Sequence, residues 1–130
     1  MKYLLDTNVW LLMVEKGLVS KKIDQIILSS ENYPFGLSAI SAWEVAKKVS
    51  LGKLSLSMPI RDWMQAATRQ PFIEIIPLTV DVSLESTLLP GAFHKDPADQ
   101  IIVATARINN LTLLTTDTLI KQYSHVNVVG

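Results

Sequence analysis

The feature that most constrains this chain is a set of short apolar runs that do not alternate with polar residues: Lys2 to Leu5, part of Tyr33 to Leu37, Phe72 to Leu78 and Leu111 to Thr115. A strand that is apolar on both faces is covered on both faces, which is the habit of parallel sheets packed between helices. Val126 to Val129 supplies a last edge strand. Helical stretches separate the runs from end to end. The expected fold class is therefore α/β, a three-layer α/β/α sandwich around a central parallel sheet.

The connecting helices carry their own start signals. Asn8 to about Glu15 is apolar nearly all round, with Trp10, Leu11, Leu12 and Met13, and needs cover on more than one side from core or partner. Ser20 caps a helix over Lys21 to Ser29. Ser41 and Glu44 have the spacing of a capping box for a helix over Ala42 to Ser50, with Ala42, Val45, Ala46 and Val49 as its apolar stripe. Pro59 starts Ile60 to Arg69, and Thr79 or Asp81 starts a helix through Ser86. In HKDPADQIIVATA, Asp96 is the N-cap, Pro97 the first helical residue and Asp99 the third, on a helix running to about Asn109. Asp117 precedes a short helix, Thr118 to Gln122.

At 130 residues the chain is expected to form one domain, residues 1–130, with no linker or repeat. It has no cysteine, which excludes disulfides, thiolate nucleophiles and cysteine metal sites. Twelve basic and twelve acidic residues cancel, so nucleic-acid binding cannot rest on net charge. The opening MKYLLDTN lacks the pattern of a signal peptide and no apolar run is long enough to span a membrane, so a cytoplasmic location without membrane attachment is expected.

Four acids stand apart. Asp6 follows the first strand, Asp117 closely follows the fourth, and Glu44 and Asp99 lie in first helical turns. Each has a structural use as a cap or dipole partner. Together they fall at strand ends and helix starts, which in a parallel sheet share one edge, the edge where ligands bind. Four such carboxylates need cations to remain ionised. With oxygen ligands only, the expected ion is Mg²⁺ or Mn²⁺, whose natural chemistry with phosphates is phosphodiester hydrolysis. His94 is placed to assist.

Four separated stretches, LLDTNVW, SAISAWEVAKK with LGKL, HKDPADQIIVATA and LLTTD, resemble the motifs of PIN-domain ribonucleases, specifically VapC toxins of bacterial toxin–antitoxin pairs. The matches run in family order from residue 3 to 117. The resemblance implies metal-binding, catalytic acids at Asp6, Glu44, Asp99 and Asp117, with Asn8, Thr116 and Asp96 as polar supports. It also implies a metal-dependent endoribonuclease acting on RNA, a cognate antitoxin that silences it, and a homodimer. Gln100 stands where the family commonly has Arg, which removes a charge beside the site and leaves the ligands intact. Lys47, Lys48, Lys53 and Lys95 are candidates for holding RNA phosphates, with solubility as their other use. Dimerisation is a candidate to cover the apolar first helix around Trp10 and Met13.

The alternatives are a catalytically silent PIN-like binding domain and a metal-dependent phosphatase. Aspartate-nucleophile phosphatases need a second acid two residues after the first, where this chain has Asn8. A phosphoacceptor domain needs an acceptor aspartate after strand three, where Pro77-Leu78-Thr79 supplies none.

Overall fold

The computed structural model describes residues 1–130. Five strands form one all-parallel sheet: β1 (Tyr3–Leu5), β2 (Phe35–Ser38), β3 (Ile73–Ile76), β4 (Thr112–Leu114) and β5 (Val128–Val129). Their order across the sheet is β3-β2-β1-β4-β5. The chain thus builds outward from β1 to one edge, then returns to the other side of β1. The reversal lies between β1 and β4, the position where open α/β sheets splay their loops and bind ligands beyond the strands' carboxyl ends.

Seven α-helices connect the strands: α1 (Thr7–Lys16), α2 (Lys21–Ile27), α3 (Ala39–Ser50), α4 (Ile60–Ala67), α5 (Val80–Thr87), α6 (Pro97–Ile108) and α7 (Thr118–Lys121). Strand residues alternate between two cores. Leu5, Leu37 and Leu114 pack with Trp10, Ile23, Val45 and Trp63 from α1 to α4, whereas Leu4 and Leu113 pack with Ile102, Val103, Ala106 and Ile120 from α6 and α7. Sequence neighbours on a strand point to opposite faces, so each apolar run feeds both layers at once. The three-layer α/β/α architecture expected from the sequence is what forms.

Two local differences matter for the site. Helix α3 begins at Ala39, with Ser38 as its N-cap accepting from the Ile40 amide at 3.2 Å. Ser38 precedes two good helix residues and takes the cap, which leaves Ser41 inside the helix and removes the Ser41–Glu44 capping box. Ala46, expected on the apolar stripe, is exposed. The second difference concerns α1. Trp10 is fully buried, its ring meets Trp63 edge-on at a centroid distance of 5.0 Å, and its Nε1 donates to the Ala67 carbonyl at 2.8 Å. Helix α4 of the same chain therefore covers the Trp10 face, and no partner is needed there.

The remaining shifts are at ends. Pro59 is the N-cap of α4 and not its first helical residue, and the strands are shorter than their apolar runs. Apolarity records burial, which continues into the flanking turns, while strand length is set by where parallel partners stop pairing.

Candidate active site

At the carboxyl ends of the strands, a cavity of about 150 Å³ is lined by Asp6, Thr7, Asn8, Glu44, Lys48, Asp96, Asp99 and Asp117, with no hydrophobic side chain among them. It opens at the β1–β4 reversal. Asp6 is the residue after β1, and its amide donates to the Leu114 carbonyl of β4 at 3.0 Å. Its side chain also caps α1, Oδ1 accepting from the Thr7 amide at 2.8 Å. Capping and site membership are thus compatible in one residue, because a helix start and a strand end meet there.

The acids are held by hydroxyls. Thr115, fully buried, donates from Oγ1 to Asp6 Oδ2 at 2.6 Å and accepts the Asp117 amide at 3.0 Å. Thr7 donates from Oγ1 to Glu44 Oε1, and the same Oγ1 lies 2.8 Å from Ser41 Oγ. A hydroxyl has one proton to give, so Ser41 must be the donor in that second bond. The later-than-expected position of Glu44, in the second turn of α3, is what carries its carboxylate to Thr7.

Asp117 caps α7, with Oδ1 accepting from the Leu119 and Ile120 amides at 2.9 and 3.1 Å. Asp96 caps α6, with Oδ1 accepting from the Asp99 amide at 3.0 Å. Asp99 heads the Ile102, Val103, Ala106 stripe, all three of which are buried. It accepts no backbone cap bond of its own. His94 approaches it, Nε2 standing 3.1 Å from Oδ2, yet that nitrogen makes no hydrogen bond. The contact is close enough for charge attraction when the imidazole is protonated, and off the line a hydrogen bond requires.

Electrostatics mark Asp99 out. Burial, followed by repulsion from Asp6, Asp96, Asp117 and Glu44, pushes its carboxyl up to about 7. Asp6 is also raised, chiefly by burial, against the pull of the Thr115 and Thr7 hydrogen bonds and with Asp117 adding to the rise and Lys48 opposing it. Glu44 is raised by burial, opposed by Thr7 and Lys48. Like charges at one site disfavour their own ionisation, and a cation relieves all of them together.

The donor set suits a hard divalent ion, since every candidate ligand atom is a carboxylate or hydroxyl oxygen. No three of the acids stand close enough to form a complete protein shell. That agrees with the way Mg²⁺ is held, by one or two carboxylates with waters completing its octahedron.

Of the residues expected from sequence, Asp6, Asn8, Glu44, Lys48, Asp96, Asp99 and Asp117 come together at this cavity. Lys47, Lys53, Lys95 and Thr116 are exposed and outside its lining. Thr116 is a correction: the hydroxyl that supports Asp6 belongs to Thr115. Consecutive residues leaving a strand point to opposite sides, so only one threonine of the pair faces inward. Thr7 and Ser41 were also missed, and the early start of α3 is the reason. A larger polar cavity, of about 430 Å³ beside Arg107 and His125, has no acid cluster, and Arg107 there is tied to Glu85 at 2.6 Å.

A parallel α/β/α sheet with an acid cluster at its strand reversal defines a class of site. The PIN domain pattern matches residues 3–126, and the chain belongs to the PIN-domain family. Ribonuclease VapC22 of Mycobacterium tuberculosis is 29% identical over 89 residues, covering 68% of this chain and 67% of that protein. Two solved structures share the fold over nearly their whole lengths. VapBC2 from Rickettsia felis, bound to a DNA fragment from its promoter, has a TM-score of 0.74 at 19% identity, covering 99% of this chain and 98% of the other. DNA-bound VapBC from Salmonella typhimurium has a TM-score of 0.71 at 15% identity, covering 99% and 97%.

Proposed function

We propose that this protein is a divalent-metal-dependent endoribonuclease, the toxin of a toxin–antitoxin pair held silent by a cognate antitoxin. The observation that carries the reading is the convergence of four acids from four separate segments, Asp6, Glu44, Asp99 and Asp117, on one wholly polar cavity at the strand reversal. Membership in the PIN-domain family and the likeness to a VapC ribonuclease support the choice of RNA as substrate. The VapBC structures support the antitoxin as partner. No helix is long and apolar enough to cross a membrane.

Asp6, Glu44, Asp99 and Asp117 would hold Mg²⁺ or Mn²⁺, which when bound supplies positive charge to a phosphodiester and acidifies water. The chain's own residues do the rest. Thr115 and Thr7 fix the Asp6 and Glu44 carboxylates so that little reorganisation is needed on loading. Lys48 is the cation in the lining and meets a phosphate there. Asn8 offers a neutral amide beside it. Lys47, Lys53 and Lys95, exposed around the rim, track the strand further out. In a homodimer, the exposed Val80, Leu84 and Leu88 offer an apolar stripe at four-residue spacing along α5 for a second copy.

The test is cleavage of end-labelled structured RNAs by the purified chain with Mg²⁺ or Mn²⁺, and with chelator. Asp99→Asn abolishes cutting and Asp96→Asn, which keeps a capping side chain, largely spares it. Cutting that survives Asp99→Asn overturns the assignment. Binding of RNA with metal loaded and no cutting would favour the silent binding domain.

A further inference from the structure

Beside the acid cavity lies a second one of about 340 Å³, between the loop that precedes α6 and the end of α7. It falls within the roughly 300–1,000 Å³ of small-molecule sites. Its wall is a continuous run of rings. Phe93 stands 4.4 Å from His94 and 4.8 Å from Tyr123, and Tyr123 stands 5.4 Å from His125, centroid to centroid. Leu119, 53% exposed, and Gln122 complete the lining that matters here. The wall is fixed in place. The Tyr123 hydroxyl donates to the Pro90 carbonyl, and His125 Nε2 lies 3.4 Å from where a Cβ on Gly91 would sit, a residue that also needs its left-handed φ of +67°.

Two short links join this cavity to the acids. His94 lines the aromatic cavity and reaches Asp99 at 3.1 Å. Asp117 lines the acid cavity and caps the helix whose Leu119 lines the aromatic one. A phosphodiester held by the acids therefore has an aromatic wall within the reach of its own nucleotide. Single-stranded RNA is recognised by stacking splayed bases on such rings, with polar groups nearby reading the base edge.

We propose that this cavity receives the nucleobase next to the scissile phosphate and so selects where on an RNA strand the chain cuts. The proposal rests on the nuclease reading above. Phe93 and Leu119 grip the base faces, and Gln122 and His125 meet its edge.

The test first maps a cut site with metal present, then places 2-aminopurine at each position across it in turn and follows fluorescence with the full chain in chelator. Stacking quenches the probe at one position beside the cut phosphate, and Phe93→Leu and Leu119→Ser each weaken that binding roughly tenfold, in line with one lost base–aromatic contact. Gln122→Ala keeps the quench and changes the base preferred at the cut. Should Phe93→Leu fold poorly, Leu119→Ser, at an exposed position, carries the test. Cutting with a quench that is independent of position, or unchanged in the variants, overturns this proposal alone. Absence of metal-dependent cutting of any RNA overturns the nuclease reading and this proposal with it.

Discussion

The Thr115 hydroxyl donates to Asp6 Oδ2 over 2.6 Å while accepting the Asp117 amide at 3.0 Å, so a single buried side chain fastens acids from the ends of two neighbouring strands. Thr115→Val keeps the shape and removes both bonds. Asp6 then keeps its charge with one donor fewer, and the Asp117 amide loses its acceptor. The expected cost is about 1–3 kcal/mol in stability, read from the denaturant midpoint, with a roughly 10–100-fold rise in the Mg²⁺ concentration needed for half-maximal cutting. Unchanged metal dependence would show that Thr115 serves the fold alone.

Thr7 offers the paired experiment on the other wall. It donates to Glu44 and takes the proton of Ser41, which is itself fully buried. Thr7→Val frees Glu44 and strands the Ser41 hydroxyl, and the metal requirement rises by about 10–100-fold. Thr7→Ser retains the hydroxyl and restores most of it. A loss in both variants would mean that the methyl group, not the hydrogen bond, is what matters.

Asp6, Asp99 and Asp117 were legible because each follows a buried strand or heads the most apolar helix, and burial is written plainly in composition. Thr7, Ser41 and Thr115 were not. Their role depends on which way a hydroxyl points and on which residue caps α3, and Ser38 and Ser41 are equally good caps on paper. The structure chose Ser38, and with it Glu44 moved from a cap partner to an inward-facing acid. The parallel sheet was legible from unalternating strands, but its order, and so the β1–β4 reversal that unites the acids, depends on long-range pairing that no local pattern encodes.

The Trp10–Trp63 contact joins α1 to α4 on one face of the sheet, both rings being fully buried. Trp63→Ala leaves a cavity against Trp10 and is expected to cost about 3–5 kcal/mol. Trp63→Phe, which keeps much of the apolar volume, costs less. Because α1 begins at the Asp6 cap, the alanine variant also loosens the site, and its metal requirement rises along with its loss of stability. A destabilised protein with an unchanged metal requirement would separate the two.

The raised carboxyl of Asp99 predicts a pH dependence of stability with a definite sign. Its pKa stands at about 7 against an ordinary 3.8, because burial and the surrounding acids oppose its charge. The folded metal-free protein therefore binds a proton that the unfolded chain has released at the same pH. Its contribution is fully present below about pH 4 and is lost as pH rises through about 7, and Asp6 and Glu44 shift in the same direction. In chelator, the melting temperature should fall between pH 5 and pH 8. Saturating Mg²⁺ should raise it strongly at pH 8 and little at pH 5, since the ion competes with protons for the same oxygens. Asp99→Asn removes the repelled charge, so the metal-free variant should lose most of the decline. A melting temperature that stays flat or climbs from pH 5 to pH 8 in chelator would mean that the acids do not strain one another and that nothing in the cavity calls for a cation.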